Sequence, residues 1–226
     1  MAVTYESGSE YNGAASMSHA VPAPPGVVNK NLLVGVFFVA DTATTLTLPN
    51  GWTELESIGP DAPMREGSIA WKVAEASEPS TYTISLDTSK PMAGGIARFS
   101  SAASVETAAE SGPGFVGGQT ESATADDALL AVRVVFAAND NQSPSLDGGI
   151  TEIVNEEIND ALDITILMGV DDTSYNTDDA VPKQGWSGIG TTCHTFTLFV
   201  DQAPSGGVGT QGYRLQLELG LQCFTG

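Results

Sequence analysis

LLVGVFFVAD, residues 32–41, is strand-sized and apolar on both faces, the pattern of a strand buried at the centre of a sheet. It recurs as LLAVRVVFAAND at 129–140. Downstream of the first copy comes LPNGWTELES (48–57), with a turn at Asn50–Gly51 before a strand. Downstream of the second comes SLDGGITEIV (145–154), with a turn at Asp147–Gly148 before a strand. GSIAWKVA (67–74) and ITILMGVD (164–171) lie 97 residues apart, the offset that also relates Leu33 to Leu130. Each series closes on a strand before a loop, AGGIARFS (93–100) and CHTFTLFV (193–200). One such pairing means little among apolar strands, but four in the same order describe two related halves.

Between these segments the chain is punctuated by Gly, Pro, Asn, Asp and Ser, and helical periodicity is nearly absent, which is the all-β signature. Strands are expected near 27–28, 32–40, 45–48, 52–57, 67–74, 80–87, 93–100, 128–138, 150–155, 162–170, 193–200 and 213–219. A short helical turn is expected over Asn155–Leu162, and Pro22–Pro25 and Ser111–Gly118 read as connections. Four or five strands per half leave too little sheet to enclose a separate core. The expected fold is therefore one jelly-roll β-sandwich of two internally related halves, built as interleaved Greek keys. Residues 1–18 form an N-terminal arm in this reading, 19–204 the sandwich, and 205–226 a linker and an extra C-terminal strand. That last strand alternates Tyr213, Leu215, Leu217, Leu219 and Leu221 with polar residues, and is an assembly strand for the chain's own sandwich or for a sister subunit. The arm is a second candidate for docking.

The 226 residues carry 28 acidic and 8 basic side chains, a net charge of −20, against a magnitude of roughly 2–8 for a small soluble domain. Such a surface repels phosphate backbones and anionic headgroups, so neither nucleic acid nor membrane is an expected partner. No stretch approaches the ~20 apolar residues that span a bilayer, and the N-terminus lacks the basic and apolar regions of a signal peptide. Mutual repulsion of this size is relieved by salt, which points to saline surroundings; an ordinary acidic protein kept soluble by its charge is the competing reading.

HAVPAPPGVVNKNLLVGVFF, LPNGWTELES, GSIAWKVAEASEPSTYTISLD and AGGIARFS together resemble a family of jelly-roll modules found in virion proteins of tailed viruses. The resemblance rests on the P-x-GW turn, the aromatic-centred strand IAWKVA, the EPSTYT connection and the Gly-rich strand ending in an aromatic. It implies a structural module in the virion: capsid decoration, cement, turret, head fibre or tail fibre. It carries no catalytic residues. Implied partners are the major capsid protein or tail proteins and further copies of the chain, as a trimer or pentamer.

The chemistry-bearing residues add little to this. His19 and His194 lie in different strand contexts without a nucleophile elbow. Cys193 and His194 are adjacent, and neighbours in a strand point to opposite faces, so they form no dyad. Two cysteines thirty residues apart, Cys193 and Cys223, make no zinc motif; bridged, they would contribute about 3–4 kcal/mol, and buried thiols are the alternative. Asp140, Asp147, Asp171 and Asp172 lie among loop oxygens of the type Ca²⁺ prefers, with Asx turns as the competing explanation. Trp186, in KQGWSGIG, is the best candidate for an exposed ring that stacks on a host surface glycan, whereas Trp52 and Trp71 read as core. A receptor- or carbohydrate-binding module of a tail fibre is accordingly the alternative to a capsid component, and no enzyme activity is expected.

Overall fold

The computed structural model describes residues 2–41, 43–59, 66–115, 123–124, 129–138, 145–146, 148–158, 164–175, 180–181, 186–187 and 193–202. The first half supplies β1 (Thr4–Pro22), β2 (Leu32–Val39), β3 (Leu46–Thr47), β4 (Thr53–Ile58), β5 (Gly67–Val73) and β6 (Thr81–Ser100). The second supplies β7 (Ala102–Phe115), β8 (Ala123–Thr124), β9 (Leu129–Ala138), β10 (Ser145–Leu146), β11 (Ile150–Ile158), β12 (Ile164–Tyr175), β13 (Ala180–Val181), β14 (Trp186–Ser187) and β15 (Cys193–Gln202).

These strands form a β-sandwich of two antiparallel sheets with internally related halves. The first sheet runs β1-β6-β2-β5-β4, with β3 on β6; the second runs β11-β12-β9-β15-β7, and β10-β14 and β8-β13 make small ribbons. The sequence reading interleaved the halves, but each half builds a whole sheet. Short connections explain this: β4 and β5 form a hairpin and lie beside β2, so the strands following β2 stay in its sheet. β2 and β9 hold the two central positions, and every residue of β2 is buried.

The halves correspond pair by pair. Leu32 lies opposite Phe99, and Leu130 opposite Val200. Phe38 lies opposite Ala93 and Gly67, and Phe136 opposite His194 and Ile166. β4 has a bulge between Glu54 and Glu56, and β11 has one between Glu152 and Val154, 98 residues on. Gly51 and Gly149, also 98 apart, both turn into these strands with positive φ, 84° and 89°. The offset of the central strands is therefore 98, not 97. The difference matters because a slip of one residue exchanges faces: at 97, core-facing Val34 would align with Ala131 on the outer face, whereas at 98 it aligns with core-facing Val132.

The shared core lies between the sheets, with Val34, Val36, Phe38, Ala97 and Phe99 against Val132, Val134, Phe136, Ile166, Met168, Phe196 and Leu198. At one side β1 adjoins β11, and at the other β4 adjoins β7, so strand order runs oppositely in the two sheets. The halves are thus related by an approximate two-fold axis, and Phe38 meets its own counterpart Phe136 edge to face, ring centroids 5.0 Å apart.

Several expectations change. Residues 4–18, read as an arm, belong to β1 and pair with β6 from Ser100 to Ser85. The strands expected at 80–87 and 93–100 are one, β6, while 27–28 is not a strand. At 20 residues β6 would span about 66 Å if straight. Instead the β1–β6 ribbon bends at irregularities between Gly13 and Ser18 and doubles back. Ser9 Oγ donates to the carbonyl of Pro22 at 2.7 Å, tying one end of β1 to the other. The returning part lays Val21, Tyr82, Ile84 and Leu86 over Leu33, Phe37 and Ala70, covering the outer face of the first sheet. Asn155–Ile158, expected as a helical turn, continues β11 because it pairs with β12 through Ile158–Ile164; 159–162 lie outside the described residues. Ser111–Phe115, expected as a connection, completes β7, an edge strand that tolerates Pro113.

Candidate functional site

Buried ionisable groups brace the strands at three places. On the outer face of the second sheet Arg133 is fully buried; Nη1 donates to Thr197 Oγ1 at 2.8 Å and Nη2 lies 3.4 Å from Asp171 Oδ2. The counterpart of Arg133 in the first sheet is Gly35, where a Cβ would crowd the rings of Phe37 and Trp52 to 3.0 Å or less. One sheet therefore fills this position with a guanidinium and the other with an indole from the next strand's turn.

Above the first sheet Lys72 Nζ pairs with Glu78 at 2.9 Å and sits 5.6 Å from the centre of the Tyr82 ring, whose hydroxyl also donates to Glu78. Burial pushes the Glu78 carboxyl upward, but the Glu75 N–H, Lys72 and Tyr82 outweigh it and hold the group below its ordinary value. Tyr82 is pushed well up, by burial first and then by Glu78. At the bend of the β1–β6 ribbon, buried His19 directs Nε2 at the carbonyls of Ser16 and Lys90, 3.1 and 3.0 Å away. Nε2 therefore carries the proton, and Nδ1 accepts from the Tyr11 hydroxyl at 3.0 Å. Burial lowers the His19 pKa.

The fourth feature is the seam where β1 meets β11. Asn12 Nδ2 donates to Glu156 Oε2 at 3.1 Å and to the carbonyl of Glu157 at 2.7 Å, and the Asn155 N–H donates to Glu10 Oε1 at 3.1 Å. Side chains of one sheet thus occupy backbone groups on the edge of the other. Burial, with the charge of Glu10 added, raises the Glu156 carboxyl against the opposing bond from Asn12. Near the seam an open cleft of about 400 Å³ is lined by Val3, Thr4, Tyr5, Leu130, Thr151 and Asp171.

The residues singled out from the sequence are not brought together. Asp171 is buried against Arg133, Asp172 follows it in β12, and Asp140 and Asp147 lie outside the described residues. Among the described residues no three His, Cys, Asp or Glu side chains are placed to hold a metal ion. Trp52 packs edge-on between Phe37 and Tyr82, and Trp71 packs against the shared core. The backbone of Trp186 pairs with Leu146 in the β10–β14 ribbon. His194 stacks on Phe196 at 4.5 Å and meets Glu110 at 2.6 Å, while Cys193 is buried on the opposite face with Val135, Ala137 and Leu167. The two therefore point apart, as strand alternation requires. Cys223 and the strand Tyr213, Leu215, Leu217, Leu219 and Leu221 lie outside the described residues. Sequence reasoning missed Arg133 and Lys72 as buried ions, and Glu10 and Asn12 as edge caps. The one available signal was the Arg inside the apolar run LLAVRVVFAA.

No family model, curated protein or solved structure matches the chain.

Proposed function

We propose that the chain is a structural component of a tailed-virus particle, standing on the capsid as a decoration, cement, turret or head-fibre protein, with no catalytic role. The observation that carries the reading is the place of the segments that resemble virion modules. The Asn50–Gly51 turn launches β4, IAWKV lies within β5, and AGGIARFS ends β6, so these segments are the frame of the first sheet. The second sheet repeats that frame strand for strand. A block with two equal walls, one continuous core and ion pairs spent on bracing works by position and stiffness.

Its partners in this reading are a capsid or tail protein and further copies of the chain. The net charge of −20 disfavours nucleic acid and anionic membranes and fits a saline medium. The packing of Trp52 and Trp71 weighs against their use as sugar platforms.

Antibodies raised against the purified chain, applied to particles concentrated from the source culture, test the proposal by electron microscopy. Regular label over the capsid or at its vertices is expected. Label confined to the tail tip would favour the receptor-binding alternative, and particles of every kind left bare would overturn the virion assignment.

A further inference from the structure

We propose that the chain associates with a second copy by exchanging halves: the sheet of residues 4–100 from one molecule packs on the sheet of residues 102–202 from the other, and reciprocally. The product is a closed dimer containing two complete sandwiches. This rests on the fold alone and is independent of the virion reading.

Connectivity supplies the first argument. Every strand before Ser101 belongs to the first sheet, and every strand after it to the second sheet or its ribbons. The passage from β6 to β7 is a single residue, Ser101, with φ 57°. A left-handed conformation is costly for a residue with a Cβ. If Ser101 relaxes to an extended conformation, β6 and β7 run on in one direction and the two sheets of a molecule separate.

The inner faces then decide what happens next. Each exposes a continuous apolar layer that cannot remain in water, and each is shaped for the other. On β6 three successive core-facing residues are small, Ala93, Gly95 and Ala97, whereas their counterparts on β15 are His194, Phe196 and Leu198; at the next position the order reverses, with Phe99 on β6 and Val200 on β15. Val154 of β11 lies against Gly95, where a Cβ would come within 2.4 Å of its Cγ2. A first sheet therefore fits a second sheet, not another first sheet, and an opened molecule is completed by the opposite half of another opened molecule. Such exchange produces a dimer without any new surface.

Refolding the full chain from denaturant at micromolar and at near-millimolar concentration, followed by size exclusion with light scattering, tests this. A dimer is expected whose share rises with concentration and which dissociates slowly on dilution. Ser101→Gly relieves the left-handed strain in the monomer and should lower the dimer share on the order of tenfold. Ser101→Pro, with φ held near −65°, should make the dimer the main species. Exchange is distinguished from side-by-side association by Gly8→Cys with Ile153→Cys, in a Cys193→Ala, Cys223→Ala background. A Cβ at Gly8 lies 3.6 Å from that of Ile153, within the disulfide range of about 3.5–4.5 Å. Oxidised monomer should then be linked within the chain, and oxidised dimer between chains. A dimer linked only within its chains would overturn the proposal, as would wild type and Ser101→Pro that stay monomeric at every concentration. If the proline variant does not fold, wild type and Ser101→Gly decide, and an equal dimer share in the two refutes the role of the hinge.

Discussion

Phe38 and Phe136 touch edge to face at 5.0 Å, and each holds in its own half the place the other holds in the opposite half. A contact between equivalent residues is what a two-fold axis produces, and here it sits at the middle of the shared core. Truncating either ring to Ala should cost about 3–5 kcal/mol. The double variant should cost clearly less than the sum, because the first truncation already removes the contact. Denaturant titrations of the three variants measure this, and additivity would show that the rings act separately.

The Lys72–Glu78 pair is buried on both sides, with side chains 9% and 5% exposed. Glu78→Leu leaves an uncompensated ammonium and should destabilise by about 3–5 kcal/mol, and Lys72→Met added to it should restore part of the loss. Since the folded carboxyl titrates below its ordinary value, its contribution is complete above about pH 4.5 and is lost as pH falls through the lowered value. Urea midpoints of the single and double variants at neutral pH check the recovery.

His19 predicts a second pH dependence. Its folded pKa lies below 6.5, so the unfolded chain takes up a proton first as acid is added, and stability falls as pH drops below about 6.5. Thermal midpoints between pH 8 and 5 should fall more steeply in wild type than in His19→Gln. Parallel curves would mean that the ring does not titrate in this window.

Added salt should raise the melting temperature, since screening weakens the mutual repulsion of twenty excess negative charges while apolar burial is little affected. A midpoint that stays flat or falls between low and molar NaCl would contradict the repulsion argument.

Removing the seam caps should make the protein self-associate. Glu10→Ala with Asn12→Ala frees the Asn155 N–H and the Glu157 carbonyl on the β11 edge, and a freed edge is a template for another strand. Sedimentation of the double variant beside wild type at rising concentration reads the effect, and a profile identical to wild type would show that the bulge in β11 is protection enough.

The central strands were legible because LLVGVFFVAD and LLAVRVVFAAND are apolar on both faces, a pattern that needs a sheet between two covers. β1 and β7 were not. TYESGSEYNGAASMSH and AASVETAAESGPGF carry small and polar residues because they are edge strands, and where β1 meets β11 the space is filled from the other side, by Ile153 against Gly8. The doubled-back ribbon was hidden for a related reason: a bend is set by register irregularities between two strands, and neither strand shows it alone. Arg133 stood out inside its apolar run, but its partners did not, because Thr197 and Asp171 lie 64 and 38 residues away.

Joining the two sheets in one chain changes what substitutions the core can accept. In a symmetric pair of identical subunits every replacement occurs twice, so a phenylalanine introduced beside the axis must find room for its own duplicate. Here the position held by Gly95 in one sheet is held by Phe196 in the other, and Gly35 stands where its counterpart is Arg133. The covalent link keeps each half at a high effective concentration for its companion, so the halves can diverge into complementary shapes without losing one another. Large can face small across an interface between two sheets of the same strand order, and a buried guanidinium needs housing only once.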